Sequence, residues 1–392
     1  MKQKDKSNGR ISVTRLTALV MAALLMLGCI TTIMLLLQSC ASARNDEDTS
    51  VDIIIPSPSV ETAPIISFEL IPQSTPYPLP AKEASVSDAL HADGNVYTVA
   101  WISDPQHYSD GRTHIFKCMV DFIVERKDDM NLVYIVHTGD TVDSMNSKEQ
   151  WAGMCAIMDE LNAIPYGILG GNHDVGTKKQ DYSVFSSYFG REKMKSRRGS
   201  EAYYGGDYQD NRGHYDLVTI GGMQMIFVYM SYAPDDACIK WMDKIVKAHS
   251  DRIAVLCLHD YFKTDMTLSD SGEQIFERVV KKNKNVYMVM CGHRYNIGCK
   301  AIDIDDDGDG EFDRRVYQLM SNYQAAGEEG GSGYMHFLRF DMRTGEIHVI
   351  SYSPYIDDRR YHDTPGADDE KYPVDPNDEE YSFKMPWPHE TL

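Results

Sequence analysis

From about Val96 onward, short apolar runs alternate with amphipathic stretches. The runs show the continuous apolar pattern of strands that are buried on both faces. The stretches between them have helical periodicity, and in one of them apolar residues recur every three or four positions from Trp151 to Leu161. The predicted strands are Val96–Ile102, Leu132–Thr138, Tyr166–Leu169, Met225–Met230, Ile253–Leu258 and Val286–Met290, and the predicted helices are about Thr113–Lys127, Ser147–Leu161, Asp235–His249 and Ser271–Lys282.

This alternation of strands and helices predicts an α/β domain with a largely parallel sheet. After Arg315 the pattern changes to strands and turns, and the predicted strands there are Val316–Met320, Met335–Phe340 and Ile347–Tyr352. We expect these later strands to form a second sheet that packs on the first.

The N-terminal 40 residues have the pattern of a targeting segment. Basic residues precede an uncharged stretch, Leu16–Leu37, which is long enough to span a bilayer. The motif L-Q-S-C, which ends at Cys40, resembles a bacterial lipoprotein cleavage box and makes Cys40 a lipidation candidate. An uncleaved anchor is the alternative. Both interpretations predict a domain tethered to the extracytoplasmic face of a bacterial cell membrane, because the basic residues before the apolar stretch stay in the cytoplasm.

Composition divides the remaining chain into three parts. Residues 41–94 form a Pro-rich linker, residues 95–356 form the main domain, and residues 357–392 form an acidic C-terminal extension expected to lie on the surface or fray. The 42% apolar content is sufficient for a substantial core. The formal net charge of −20 argues against a nucleic-acid-binding surface.

Polar side chains follow five of the predicted strands at the point where each strand ends. Ligands of open α/β sheets bind at the carboxyl ends of the strands, so these side chains indicate one shared site. Carboxylate, amide oxygen and imidazole without thiolate suit Mn, Fe or Zn. The residues are Asp104, Asp140, Asn172, His259 and His293.

The motifs G-D-T-V-D, G-G-N-H-D, H-D and G-H-R-Y-N occur in this order and resemble those of the calcineurin-like metallophosphoesterases. The first motif, D-P-Q, resembles a branch of the family with D-x-Q in place of D-x-H. The resemblance implies a four-layer αββα sandwich of two mixed β-sheets. It also implies a metal-dependent phosphoric ester hydrolase in which a metal-bound hydroxide attacks a phosphate-ester substrate.

The resemblance assigns ligands to two metal positions. The second metal position is complete and comprises Asp140, Asn172, His259 and His293. The first metal position shares Asp140 and adds Asp104, but Gln106 and Tyr295 stand where the family has histidines. The resemblance therefore implies one or two divalent ions, with weaker binding or a harder ion at the first position. His107 is expected to be a bystander, because it points away from Asp104 and Gln106 along an extended chain.

The resemblance gives His173 the role of the acid that protonates the leaving oxygen, with Asp174 orienting its imidazole. Asp143, the last residue of G-D-T-V-D, has two equal alternatives, a functional role in the site and a structural role in bracing its own loop. Possible substrate contacts are Arg294, Tyr295, Tyr323 and Gln324. The altered first metal position leaves an alternative function open, namely a non-catalytic or single-metal binding module on the same fold.

An acidic stretch after the last motif has the spacing of a calcium-binding loop, although its final Glu is missing. An acidic turn between two strands is the alternative. The residues that a calcium ion would require are Asp305, Asp307, Asp309 and Asp313.

Overall fold

The structure is a computed structural model, and it describes residues 89–327, 329–363 and 375–384. The predicted segment Leu16–Leu37, the lipidation candidate Cys40 and nearly all of the predicted linker lie outside these residues. Among the residues that are described, the helices are too short or too polar to cross a membrane.

The strands and helices are as follows, in chain order. The strands are β1 (Val96–Ile102), β2 (Leu132–His137), β3 (Tyr166–Ile168), β4 (Tyr204–Tyr208), β5 (Gly213–Ile220), β6 (Met223–Met230), β7 (Ile253–Leu258), β8 (Val286–Cys291), β9 (Ile297–Ile304), β10 (Arg314–Ser321), β11 (Met335–Asp341), β12 (Glu346–Tyr352) and β13 (Glu380–Lys384). The α-helices are α1 (Thr113–Arg126), α2 (Lys148–Met158), α3 (Asn172–Val175), α4 (Tyr182–Phe189), α5 (Arg191–Lys195), α6 (Asp236–Ala248) and α7 (Asp270–Ile275).

Within the described residues these strands form two mixed sheets. The first has the order β13-β12-β11-β1-β2-β3. Strands β1, β2 and β3 pair in parallel, and the β1–β11, β11–β12 and β12–β13 pairs are antiparallel. The second has the order β4-β5-β6-β7-β8-β10-β9, with β6, β7, β8 and β10 parallel. Helices pack on both sheets, which confirms the predicted α/β sandwich.

Strand β1 shows how the layers are built. Val99 and Trp101 lie in the core between the two sheets, together with residues such as Phe227 of the second sheet. Ala100 and Ile102 face the opposite way and pack against α1 and α2. Both faces of the strand are therefore buried, which explains its continuous apolar sequence.

Some elements were missed by the sequence pattern. Strands β4, β5, β9 and β13 were not predicted, and the predicted helix from Ser271 to Lys282 is divided into α7 and a π-helical turn, Phe276–Val280. The predicted end of the domain at residue 356 is too early, because β13 pairs with β12 from Glu380 to Lys384. The predicted start is too late, because Leu90 is buried in the core.

A carboxyl group is buried between the sheets in β5. Asp216 shares the inward face of β5 with Val218 and Ile220, because side chains alternate along a strand. The phenol of Tyr134 in β2 donates a 2.5 Å hydrogen bond to the Asp216 carboxylate. Burial raises the pKa of Asp216 from 3.8 to about 8, although Tyr134 and Arg197 lower it. The carboxyl group of the folded protein is therefore neutral below about pH 8.

This raised pKa predicts a pH-dependent stability. The folded state holds the Asp216 proton more tightly than the unfolded chain, so its stabilising contribution is complete below the unfolded pKa of 3.8 and is lost as the pH rises to about 8. The free energy of unfolding should fall by up to about 1.4 kcal/mol per pH unit across this range. Asp216→Asn should flatten that slope in urea titrations. The exposed control Asp251→Asn should retain it, and an unchanged slope in Asp216→Asn would contradict the assignment.

Candidate metal centre

The predicted site residues lie where strands of the two sheets end side by side. Nδ1 of His259, which follows β7, is 2.8 Å from the carbonyl oxygen of Thr138, which follows β2. The backbone N–H of His293, which follows β8, lies 3.0 Å from the Asp104 carboxylate beyond β1. Each sheet therefore supplies half of one site, and the two halves are in direct contact.

Backbone conformation turns three of these residues sharply away from their strands. Asp104, Asp140 and His293 have φ values of 53°, 55° and 73°, in the left-handed region that costs energy for residues other than glycine. Such strain is retained where the surrounding structure holds it, and it concentrates at functional sites.

Glycines allow the loops to approach the carboxylates. A Cβ atom added to Gly171 would lie 2.1 Å from Oδ1 of Asp140, and one added to Gly292 would lie 2.1 Å from Oδ2 of Asp104. Both distances are far shorter than a van der Waals contact. Gly171 and Gly292 are therefore required by the close approach of these loops.

Side chains of the second metal position converge. Nε2 of His259 lies 2.9 Å from Oδ1 of Asn172 and 3.4 Å from Oδ1 of Asp140. Ligand atoms of Asp140, His259 and His293 lie within 4.8 Å of one another. Burial lowers the pKa of His293 to about 3, so its imidazole is neutral and can serve as a ligand.

The hydrogen bonds of His259 show that this position suits a cation. Nδ1 faces the Thr138 carbonyl, so it carries the proton and Nε2 carries the lone pair in the neutral ring. In the neutral ring that lone pair meets the oxygens of Asn172 and Asp140, so acceptors face acceptors unless a proton on Nε2 or a metal cation lies between them. Burial alone would lower the pKa of His259, but Asp140 and Asp104 raise it to about 10. The position therefore suits a divalent cation.

Residues assigned to the first metal position are arranged differently. Both carboxylate oxygens of Asp104 accept the His293 N–H, and Oδ2 also accepts from Oγ of Ser103 at 2.5 Å. Nε2 of Gln106 donates to Oδ2 of Asp140 at 3.3 Å and to Oε1 of Gln324. The side chain of Tyr295 is 52% exposed.

His173 is held by the loop that follows β2. Its Nδ1 lies 2.8 Å from the carbonyl oxygen of Asp143 and 3.4 Å from the carboxylate of the same residue. Its backbone N–H donates to Oδ1 of Asp140 at 2.8 Å. The imidazole therefore stands beside the second metal position, held through Nδ1.

The expected role of Asp174 is wrong. Its buried carboxylate accepts the backbone N–H groups of Gly171, Thr141 and Val142 at 2.9–3.1 Å, and none of the hydrogen bonds recorded for the described residues joins it to His173. Asp174 follows Asn172 by two residues in the short helix α3, which turns it away from the site and toward the β2 loop. Asp174 therefore joins two loops, and the oxygens that contact Nδ1 of His173 belong to Asp143.

The possible substrate contacts divide into two pairs. Arg294 and Tyr295 are exposed directly after His293. Tyr323 is 3% exposed, and its phenol oxygen lies 3.3 Å from Nε2 of His336, so this possible substrate contact is buried in the structure. Gln324 is also buried, and its described contact is with Gln106 rather than with the surface.

Tyr232 also belongs to the site, although no motif predicted it. It follows β6, and its ring lies 5.5 Å from the His293 ring and 5.9 Å from the His259 ring. The phenol of Tyr182 donates to its carbonyl oxygen at 2.7 Å. The signal was present in the sequence, because Tyr232 stands just beyond a buried strand like the other site residues.

The acidic loop lies between β9 and β10. Carboxylate oxygens of Asp305, Asp307 and Asp313 lie within 4.8 Å of one another, whereas Asp309 is not in this group and accepts the Glu311 N–H. Asp305 also accepts the N–H groups of Gly308 and Gly310. These hydrogen bonds are those of an acidic turn, and calcium binding there stays a prediction.

The chain is similar to a known protein family and to a known bacterial protein. The model of the family described as calcineurin-like phosphoesterase matches residues 97–296, about half of the chain. A curated relative, "Uncharacterized protein YvnB" of Bacillus subtilis (strain 168), is 41% identical over 281 residues. The match covers 71% of this chain and 21% of YvnB, so the chain spans about a fifth of the length of that relative.

The solved structures that the chain matches have low sequence identity. A purple acid phosphatase, PPD1, from yellow lupin (Lupinus luteus) has 13% identity and a TM-score of 0.46, covering 68% of this chain and 53% of that one. GAP50, an anchor in the inner membrane complex of Plasmodium, has 11% identity and a TM-score of 0.42, covering 67% of this chain and 86% of that one.

Proposed function

Because this chain belongs to the calcineurin-like phosphoesterase family, we propose that it hydrolyses a phosphate ester at the metal centre described above. The observation that carries the proposal is the convergence of His259, Asn172 and Asp140 on one position, with Nε2 of His259 2.9 Å from Oδ1 of Asn172. When bound there, a divalent cation supplies positive charge that polarises the phosphate and lowers the pKa of a nearby water.

Residues of the chain supply the remaining chemistry. The oxygens of Asp143 hold the N–H at Nδ1 of His173, so the imidazolium form of the ring carries its second proton on Nε2 and can give that proton to the leaving oxygen of the ester. The ring remains partly accessible, as a group that meets substrate requires. The guanidinium of Arg294 adds an exposed positive charge directly after His293, where it can attract a phosphate group.

Metal removal and reconstitution test the proposal. Purified protein should lose turnover of chromogenic phosphate monoesters and diesters after chelation, and should regain it with Mn, Fe or Zn. Calcium added alone is a separate reconstitution, which distinguishes turnover that depends on the acidic loop from turnover that depends on the metal centre. Absence of turnover with every metal would contradict the hydrolase, and tight metal binding without turnover would favour a non-catalytic binding module.

A membrane tether is part of this proposal. The support is the basic flank followed by the uncharged stretch Leu16–Leu37 and the L-Q-S-C motif. Fractionation of cells expressing the full chain and Cys40→Ser tests it. Loss of lipid labelling in the variant supports a lipoprotein, unlabelled protein in the membrane fraction supports an uncleaved anchor, and wild-type protein recovered in the soluble fraction contradicts both.

Tyr295 is expected to contribute to the binding of esters with an aromatic leaving group. Its exposed ring follows His293 on a tight turn in which the N–H of Asn296 donates to the carbonyl of Arg294 at 2.7 Å. Ring stacking contributes about 0.5–1.5 kcal/mol, so Tyr295→Ala should raise KM for aryl phosphates about 2–10-fold with little change in kcat.

Tyr295→Phe should retain the KM of the unmodified protein, because it keeps the ring. Phe312→Ala removes an exposed aromatic beyond the opposite end of β10 and is the matched control. An equal increase in KM for a small alkyl phosphate would contradict a stacking role.

A further inference from the structure

We propose that the metal centre holds a single cation at the second metal position, and that the side-chain amide of Gln106 takes the place of an ion at the first. The inference rests on the proposed function only in that both require the second metal position to bind metal. Three observations carry the inference. They are the contact of Asp140 with the Gln106 amide, the hydrogen bonds that occupy Asp104, and the exposure of Tyr295.

The two carboxylate oxygens of Asp140 face different partners. Oδ1 accepts the His173 N–H at 2.8 Å and lies 3.4 Å from Nε2 of His259, on the side of the second metal position. Oδ2 accepts from Nε2 of Gln106 at 3.3 Å. A carboxylate that bridged two ions would offer Oδ2 to the first ion. In this chain an amide N–H group already meets that oxygen.

The orientation of the Gln106 amide follows from its neighbours. Nε2 lies between Oδ2 of Asp140 and Oε1 of Gln324, and both atoms are acceptors. Turning the amide around would place Oε1 against a carboxylate oxygen without a hydrogen between them. Gln324 is therefore a positioning residue, because its oxygen holds the N–H side of Gln106 toward Asp140. Oε1 of Gln106 is buried and has no donor among the residues that the structure describes.

The other ligands expected at the first metal position are committed elsewhere or absent. The carboxylate of Asp104 already accepts the N–H of His293 with both oxygens and the hydroxyl of Ser103 with one. It braces the turn that carries His293. Tyr295, which stands at the position of an imidazole ligand, is 52% exposed, and a protonated phenol is a poor ligand. The first metal position therefore lacks imidazole, whereas the second has two.

Metal analysis tests the inference without reference to activity. The full chain is stripped of metal, incubated with excess Mn, dialysed and analysed for ions per chain, and its electron paramagnetic resonance spectrum is recorded. One ion per chain with the spectrum of an isolated Mn supports the inference. Two ions with an exchange-coupled spectrum overturn it. If the protein binds no ion, both the inference and the proposed function fail. If it binds one ion but shows no turnover, only the proposed function fails.

A variant carrying both Gln106→His and Tyr295→His restores imidazoles at the first metal position. It should bind a second ion, and its Mn spectrum should become exchange-coupled. Circular dichroism establishes that it folds, and Gln106→Glu offers a second route because it replaces the N–H donor with a carboxylate. If the double variant and Gln106→Glu both fold and each still binds one ion per chain, Gln106 is not the reason for the single site.

Discussion

Asp140→Asn is expected to lower kcat/KM by about 10³-fold, which corresponds to about 4 kcal/mol of lost transition-state stabilisation. The substitution preserves the shape of the side chain and keeps an oxygen that can accept the His173 N–H. It removes the negative charge that faces Nε2 of His259 across 3.4 Å. Metal affinity should therefore fall together with turnover, because this is the carboxylate of the second metal position.

The measurement pairs the ions bound per chain with kcat/KM on one chromogenic ester. Asp121→Asn, a change of the same kind on the surface of α1, is the control and should alter neither quantity. An Asp140→Asn protein that retains its metal and keeps turnover within about tenfold of the unmodified protein would place the catalytic cation elsewhere.

His173→Ala is expected to lower kcat by about 10²–10⁴-fold while leaving the metal content unchanged. His173 lies beside the second metal position but is assigned to the leaving oxygen rather than to the cation. The loss should be largest for alkyl esters, whose leaving oxygens require a proton, and smaller for nitrophenyl esters, whose leaving groups depart as stable anions. This dependence on the leaving group separates proton donation from a structural role.

Asp143→Asn gives a graded comparison. It removes the carboxylate 3.4 Å from Nδ1 of His173 but preserves the carbonyl oxygen at 2.8 Å, so a smaller loss of roughly tenfold is expected. An equal loss of kcat for alkyl and nitrophenyl esters in His173→Ala would contradict the role of His173 as the acid.

The convergence of the site could be predicted because it depends on a general property of parallel strands. Asp104, Asp140, Asn172, His259 and His293 each follow a buried apolar run, and the carboxyl ends of parallel strands share one edge. The pattern did not show that the edge joins two sheets. That arrangement depends on the order of the strands, in which β1 pairs with the late strand β11.

The pairings of individual side chains were beyond the reach of sequence spacing. The resemblance assigned Asp174 to the imidazole of His173, but the carboxylate of Asp174 accepts backbone N–H groups of the β2 loop. Tyr323 was named as a possible substrate contact, but its ring is buried and packs on Tyr334 at a centroid distance of 5.1 Å. Strand β13 was missed because it is an edge strand of only five residues within an acidic, Pro-containing stretch, and it forms by pairing with β12.

The contact between Asp104 and the N–H of His293 joins residues that are 189 positions apart in the chain. His259 and Thr138 are 121 positions apart. Closing loops of this length has an entropic cost that only the assembled sheets offset, so the ligand set forms late in folding. Metal uptake during refolding should therefore lag behind the recovery of helical circular dichroism. Added metal should raise the midpoint of urea unfolding by binding only the fully folded chain.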